Sequence, residues 1–294
     1  MFIATLIAAR GLNAGEISEA RDRLDQVGCA PIPVWGWIDQ GVAADIGFAL
    51  APDAARVALE GAFPDTDVAI QPIEGRAKRL LVADMDSTMI TVECIDELAD
   101  YAGIKPQIAA VTEAAMRGEL DFAAALDARV ALLAGLEESA IDRCLAERVE
   151  IMPGAEALVR TMRARGATTV LVSGGFTRFA EPVGARIGFE RVIANRLLVA
   201  DAKLTGAVAK PIVDAETKLA TLEATRKDAG FDRAETLAVG DGANDLPMIR
   251  AAGLGVAYRA KPVVAAAAAM RVDHNDLTAL LYAQGIPKAE WAAD

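Results

Sequence analysis

The spacing of apolar residues changes period several times along the chain, and each change marks an element. Residues 2–8 form a short apolar run that predicts a strand. Ile17, Ala20, Leu24 and Val27 then recur every three or four positions. That spacing predicts an amphipathic helix over 16–27, stopped by Gly28. Residues 34–38 and 43–50 predict two strands joined by a turn near Gln40-Gly41. Pro52 opens a second helix to about Ala62, and 67–73 supplies another strand. The βαββαβ order predicts a ferredoxin-like α+β domain over residues 1–76. Residues 71–78 read as a polar link to a second domain, 77–294.

The second domain opens on a four-residue apolar run, 80–83, with no alternation. Such a run fits a parallel strand covered on both faces. Residues 94–150 then hold almost no strand signal. Four helices are predicted there, at 94–102, 106–117, 122–133 and 138–147, with Gly103, Gly118 and Gly135 near their ends. A helical block directly after a strand end predicts a cap over that end. Afterwards helix and strand alternate. A helix runs from Pro153 to Gly166, followed by a strand at 168–172, a helix at 177–187 and a hairpin within 192–208. A long helix at 214–229 and strands at 236–239 and 254–257 complete the series. This alternation predicts an α/β, Rossmann-like, doubly wound parallel sheet.

Strand ends carry the candidate chemistry, where open α/β sheets place their ligands. Asp84 and Asp86 follow the 80–83 strand. In extended chain, residues two apart point the same way. Two carboxylates held together call for a cation or a shared proton, which suggests a magnesium site with one acid free as a nucleophile. Ser173-Gly174-Gly175 ends the next strand and is either a simple turn or a backbone cradle for an anion. Lys218 lies in the first turns of a helix, against the dipole. Gly240-Asp241-Gly242-Ala243-Asn244-Asp245 again places acids at a strand end.

Composition narrows the function classes. The chain has 294 residues and a net charge of −12, which disfavours nucleic acid and anionic membranes as partners. Cys29, Cys94 and Cys144 form no C-x-x-C pair, so a reducing cytoplasmic setting fits best. His274 is the single histidine and lies in a polar run, which makes histidine-based catalysis hard to build. Residues 1–7 have no preceding basic region and read as a strand rather than a signal peptide. The apolar run 263–270 is too short to span a bilayer.

Four pieces occur in order: D-x-D-x-T, S-G-G, a helix-opening lysine and G-D-G-x-N-D. Their constellation resembles the haloacid dehalogenase superfamily of aspartate-nucleophile phosphatases. Asp84-Met85-Asp86-Ser87-Thr88, Glu93 and Arg129 resemble its phosphoserine phosphatase branch in particular. The resemblance covers about residues 79–285. It implies hydrolysis of O-phospho-L-serine through an aspartyl phosphate on Asp84, the last step of serine biosynthesis. It implies Asp86 as general acid and base, and Mg2+ held by Asp84, the Asp86 backbone carbonyl and Asp241, with Asp245 in support. Ser173, Gly174, Lys218 and Asn244 become phosphate binders. Glu93 and Arg129 become the clamp for the amino and carboxylate groups, with Met116 and Phe122 as apolar cap residues. Residues 1–76 look like an ACT-type module by element order alone, which leaves amino-acid sensing and a structural or dimerising role both open. A phosphatase for another small phosphomonoester and an inactive regulatory protein are the competing readings.

Overall fold

A computed structural model describes residues 1–116 and 119–292. The chain opens with β1 (Phe2–Ala8), α1 (Ala14–Gln26), β2 (Pro31–Asp39), β3 (Ala43–Phe48), α2 (Pro52–Leu59) and β4 (Thr66–Pro72). These strands form an antiparallel sheet in the order β2-β3-β1-β4. Leu6, Ile46 and Phe48 from the strands pack with Leu24 and Leu59 from the helices, all at 0% exposure. Helix α1 starts at Ala14, two residues before the predicted Glu16. The Asn13 side chain accepts from the N–H groups of Gly15 and Glu16, and Glu16 accepts from Asn13 N–H at 2.8 Å. This capping box satisfies the orphan donors of the first turn.

The polar link does not hang free. The Gln71 side chain is buried and donates to the Ala283 carbonyl at 2.6 Å. Arg76 pairs with Asp45 at 2.6 Å and also donates to the Ala283 carbonyl. Lys78 is buried against the carbonyls of Gly75 and Ala234. Burial, then the charge of Arg76, lowers the Lys78 pKa to about 8. The buried donors are accommodated because each has an acceptor, while Gln71 Oε1 accepts no hydrogen bond among the described residues.

After the link come β5 (Leu80–Ala83) and four helices, α3 (Cys94–Tyr101), α4 (Lys105–Met116), α5 (Phe122–Ala131) and α6 (Ser139–Arg148). The chain continues through α7 (Ala155–Ala164), β6 (Thr168–Phe176), α8 (Thr177–Ile187) and β7 (Arg191–Asn195). A small hairpin follows, β8 (Leu197–Ala200) and β9 (Lys203–Val208). The remainder is α9 (Ala215–Asp228), β10 (Thr236–Gly240), α10 (Leu246–Ala251), β11 (Leu254–Tyr258), α11 (Pro262–Ala267), β12 (Met270–Val272) and α12 (Ala279–Ala283).

Six strands, among the described residues, form the main sheet in the order β12-β11-β10-β5-β6-β7, all parallel. Strand β5 is central, and its alternate residues serve opposite faces. Leu81 and Ala83 join one core, while Leu80 and Val82 join a second with Leu222 and Met248. Two-sided burial is why this segment lacks polar alternation. Helices α3, α5 and α6 send Leu98, Leu126, Val130 and Ile141 into the first of these cores. The helical cover is thereby continuous with the sheet's own packing.

Two local expectations change. Helix α7 begins at Ala155 rather than Pro153, because Gly154 turns left-handed at φ +82°. A Cβ there would lie 2.7 Å from the Thr278 backbone nitrogen, so glycine is required by space as well as conformation. The alanine-rich run 263–270 hides the break between α11 and β12, neither of which its pattern resolves. No helix among the described residues is long and apolar enough to cross a membrane.

Candidate active site

Chain order reverses on either side of β5. The chain moves outward through β6 and β7, then returns to β5's other flank as β10. Carboxyl ends of strands diverge at such a switch point and leave a crevice. Register carries the predicted residues into it. Ala83 pairs with Val239 and with Leu171, so Asp84, Ser173 and Asp241 lie just beyond the same level. The Asp84 N–H extends the ladder to the Val239 carbonyl at 3.0 Å.

Lys218 anchors this crevice from α9. Asp214 caps that helix by accepting from Thr217 N–H, and Lys218 is the next residue. Its side chain is fully buried, with Nζ 2.7 Å from Asp84 and 2.6 Å from Asp245. Burial alone would lower its pKa, but the two carboxylates together hold it above the usual lysine range. Asp84 is itself raised, by burial and then by Asp245, against the pull of Lys218. One ammonium thus serves two buried carboxylates, and Asp241 adds a third acid. Asp241 is pushed up to about 6 by burial and by Asp245, while a hydrogen bond from Thr88 and the charge of Lys261 oppose this. Oxygen atoms of Asp84, Asp241 and Asp245 lie within 4.8 Å of one another, close enough to share a metal ion. Hard oxygen donors and uncompensated negative charge both suit a small divalent cation.

The Asp86 carboxylate is not part of that cluster, although it lines the same cavity. It accepts from Cys94 N–H at 3.0 Å and from the Ser173 hydroxyl at 3.4 Å. Burial first, then Glu93, raises its pKa to about 6, against the hydrogen bond from Cys94. The two acids of Asp84-Met85-Asp86 therefore occupy different environments, one salt-bridged to lysine and one poised to hold a proton. Both Asp245 oxygens are engaged, one by Lys218 and one by Gly242 N–H at 3.0 Å.

Strand β6 runs on through Ser173-Gly174-Gly175 to Phe176, so S-G-G is an irregular strand end rather than a turn, and it is built for close approach. Ser173 accepts from Gly175 N–H at 2.8 Å. Asn195, 2% exposed, donates to the Gly174 carbonyl at 2.8 Å and accepts from Val213 N–H at 2.7 Å. A Cβ on Gly175 would stand 2.6 Å from Asp86 Oδ2, and one on Gly174 would stand 3.3 Å from the Phe122 ring. The glycines let a strand end, a carboxylate and the cover meet.

Above this floor lies a cavity of about 400 Å³. Glu93, Phe122 and Arg129 line it from the cover, and Asp84, Asp86, Gly174, Asp241 and Asn244 from the sheet. Phe122 is the first residue of α5, placed by the cap that Asp121 makes to Ala124 N–H. Arg129 is half-buried, with Nε donating to the Ala125 carbonyl at 3.2 Å. Lys218 lies beneath the floor, bonded to Asp84 and Asp245. The side chain of Met116 lies outside the described residues. Four contributors were given no role by sequence reasoning. Gly175 sits inside a recognised motif, but its need appears only once Asp86 folds against it. Asn195 and Thr88 are polar residues that adjoin apolar stretches, a weak signal that buried polar groups have work to do. Lys261 reaches the cavity rim from the loop after β11 and carried no motif.

The arrangement offers a buried carboxylate at the floor, a protonatable carboxylate beside it, donors for an anion and a cation–anion pair at the roof. Comparison with known proteins agrees with that geometry. The model of the haloacid dehalogenase-like hydrolase family matches residues 81–250. A phosphoserine phosphatase of Streptomyces coelicolor is 42% identical over 92% of this chain and 64% of its own length. One of Mycobacterium tuberculosis is 40% identical over 98% of this chain and 68% of its own length. The chain therefore spans about two thirds of these curated relatives. The solved structure of a probable phosphoserine phosphatase from Vibrio cholerae superposes with a TM-score of 0.77 at 31% identity, covering 98% of this chain and 87% of that one. By matched family model and by relatives of this identity and coverage, the chain belongs to the haloacid dehalogenase-like hydrolases.

Proposed function

We propose that the protein is a Mg2+-dependent phosphoserine phosphatase that releases L-serine and phosphate. The observation that carries this reading is one cavity with unequal carboxylates on its floor and Glu93 and Arg129 in its roof. A zwitterionic amino acid needs one anion and one cation opposite its charges, and the arginine fork suits a carboxylate.

Asp84, the Asp86 backbone carbonyl and Asp241 would hold Mg2+, with Asp245 orienting Lys218 and the Gly242 turn. When bound, Mg2+ neutralises phosphate charge that would otherwise repel the nucleophile. Ser173, the Gly174 backbone, Asn244 and the third N–H of Lys218 receive the phosphate oxygens. Asp84 attacks phosphorus in line, forming the aspartyl–phosphate bond as the bond to the serine oxygen breaks. Protonated Asp86 gives that oxygen its proton. The same carboxylate, now ionised, takes a proton from water, and the hydroxide oxygen attacks the phosphorus of the aspartyl phosphate to free Asp84. Positioning and charge neutralisation supply most of the rate in this chemistry.

Residues 77–294 form the catalytic domain in this account, with 94–150 as a cap that excludes water during turnover. Residues 1–76 form an ACT-like domain that contributes to a homodimer, in a cytoplasmic enzyme. The test is a panel of phosphoserine, phosphothreonine and sugar phosphates, assayed on wild type and Arg129→Ala. The reading predicts a strong preference for phosphoserine that collapses in the variant. Equal turnover of sugar phosphates, unchanged by Arg129→Ala, would replace it with a broader phosphomonoesterase.

A further inference from the structure

Ser87 stands between the two acids' loop and the cover, and the functional assignment leaves it without a role. Its backbone is left-handed, at φ +55°. Residues other than glycine, asparagine and aspartate are uncommon there, so the surroundings must hold it. Two contacts do so. Ser87 N–H donates to the Val92 carbonyl at 3.3 Å, which closes the loop between them. The Ser87 hydroxyl donates to Glu93 Oε1 at 2.7 Å.

Glu93 is turned for this bond. It is the N-cap residue of α3, and its carbonyl accepts from the N–H groups of Asp96 and Glu97. Its carboxylate makes no capping bond to that helix. Instead it reaches back to Ser87 and lines the cavity. One oxygen meets the hydroxyl, and a carboxylate has further lone pairs for a ligand. Glu93 is also the first residue of the cover. Left alone, an exposed glutamate would sample several rotamers.

We propose that Ser87 is a specificity-positioning residue, whose hydroxyl pins Glu93 so that its carboxylate faces a substrate ammonium. The inference rests on the phosphoserine reading, and it adds how the amine is read. The left-handed turn puts the hydroxyl where an extended residue would send it elsewhere. The nucleophile loop and the amine reader are thereby one hydrogen-bonded unit, with Glu93 on the cavity wall.

The test compares kcat/KM for O-phospho-L-serine with that for its des-amino analogue, 3-phosphooxypropanoate. Wild type, Ser87→Ala, Ser87→Gly, Glu93→Gln and the Ser87→Gly/Glu93→Gln double variant are measured. Glycine accepts φ +55° freely, so Ser87→Gly removes the hydroxyl without adding strain. The expected result is a wild-type preference for the amine that falls roughly three- to tenfold in both Ser87 variants, the scale of the net contribution of one ordinary hydrogen bond. In the Glu93→Gln background, removing the hydroxyl changes the preference no further. A high wild-type preference that Ser87→Gly leaves intact overturns the role of Ser87 and spares the phosphoserine reading. A wild-type ratio near one overturns the phosphoserine reading and the role of Ser87 with it.

Discussion

Gly175→Ala separates the geometry of the site from its composition, since no functional group is removed. The added Cβ would stand 2.6 Å from Asp86 Oδ2, 3.0 Å from Ser173 Oγ and 3.1 Å from Met85 Cε. Ordinary carbon–oxygen contacts are longer, so the Asp86 carboxylate must retreat by roughly 0.6–1 Å or rotate away from its bond to Cys94 N–H. Misplacing a reacting group by about 1 Å can cost a factor of roughly 10² in rate. The stability cost is smaller, about 1–3 kcal/mol for one inserted methyl in a packed region. Gly175 has no positive φ, so backbone strain adds nothing. The expected variant is folded, with a melting temperature a few degrees lower, and its kcat on phosphoserine falls about a hundredfold while KM moves much less. Stopped assays of phosphate release and a thermal melt measure both. A kcat within twofold of wild type would refute the claim that Asp86 works from this position.

Two further outcomes follow from the same electrostatics. Lys218→Met leaves Asp84 and Asp245 buried without their shared cation. Breaking a buried pair in this way should cost about 3–5 kcal/mol and abolish turnover, and a stable, active Lys218→Met enzyme would contradict the assignment. Metal and proton should compete at Asp241. Its pKa is raised from the usual 3.8 to about 6. The folded, metal-free protein therefore holds that proton more tightly than the unfolded chain, and this stabilisation is lost as pH climbs from 3.8 through 6. At pH 7.5, Mg2+ at a hundred times its Kd should add about 2.7 kcal/mol, a rise in melting temperature of roughly 5 °C. At pH 5 the rise should shrink, and an equal or larger rise there would place the metal elsewhere.

The elements near the site were readable from the chain because their burial is two-sided or strictly periodic. Residues 80–83 lack alternation because Leu80 and Leu81 serve different cores. Helices α3, α5 and α6 of the cover each bury residues in the core built on the main sheet, at Leu98, Leu126 and Ile141. Resolution failed where tertiary contact overrides local pattern. Gly154 breaks a helix that Pro153 would otherwise open, because Thr278 crowds it. The polar residues 71–78 look like a tether in sequence, yet Gln71, Arg76 and Lys78 are bonded across the two sheets' supports. In the site, D-x-D and G-D-G-x-N-D announce acids, but their division of labour depends on distances. Only the fold reveals that Lys218 binds Asp84 and Asp245 while Cys94 N–H and Ser173 hold Asp86. Asn195 and Gly175 matter through neighbours 21 and 89 residues away, at Gly174 and Asp86, beyond the reach of any local pattern.

The central claim is that Asp84 is the nucleophile of a phosphoserine phosphatase. Phosphate release from O-phospho-L-serine with Mg2+, by wild type and by Asp84→Asn, tests it most directly. Asparagine keeps the shape and removes the attacking charge. The account predicts steady release by wild type and none above background by a folded Asp84→Asn protein. Release by the variant at a comparable rate, or no release by wild type, would contradict it.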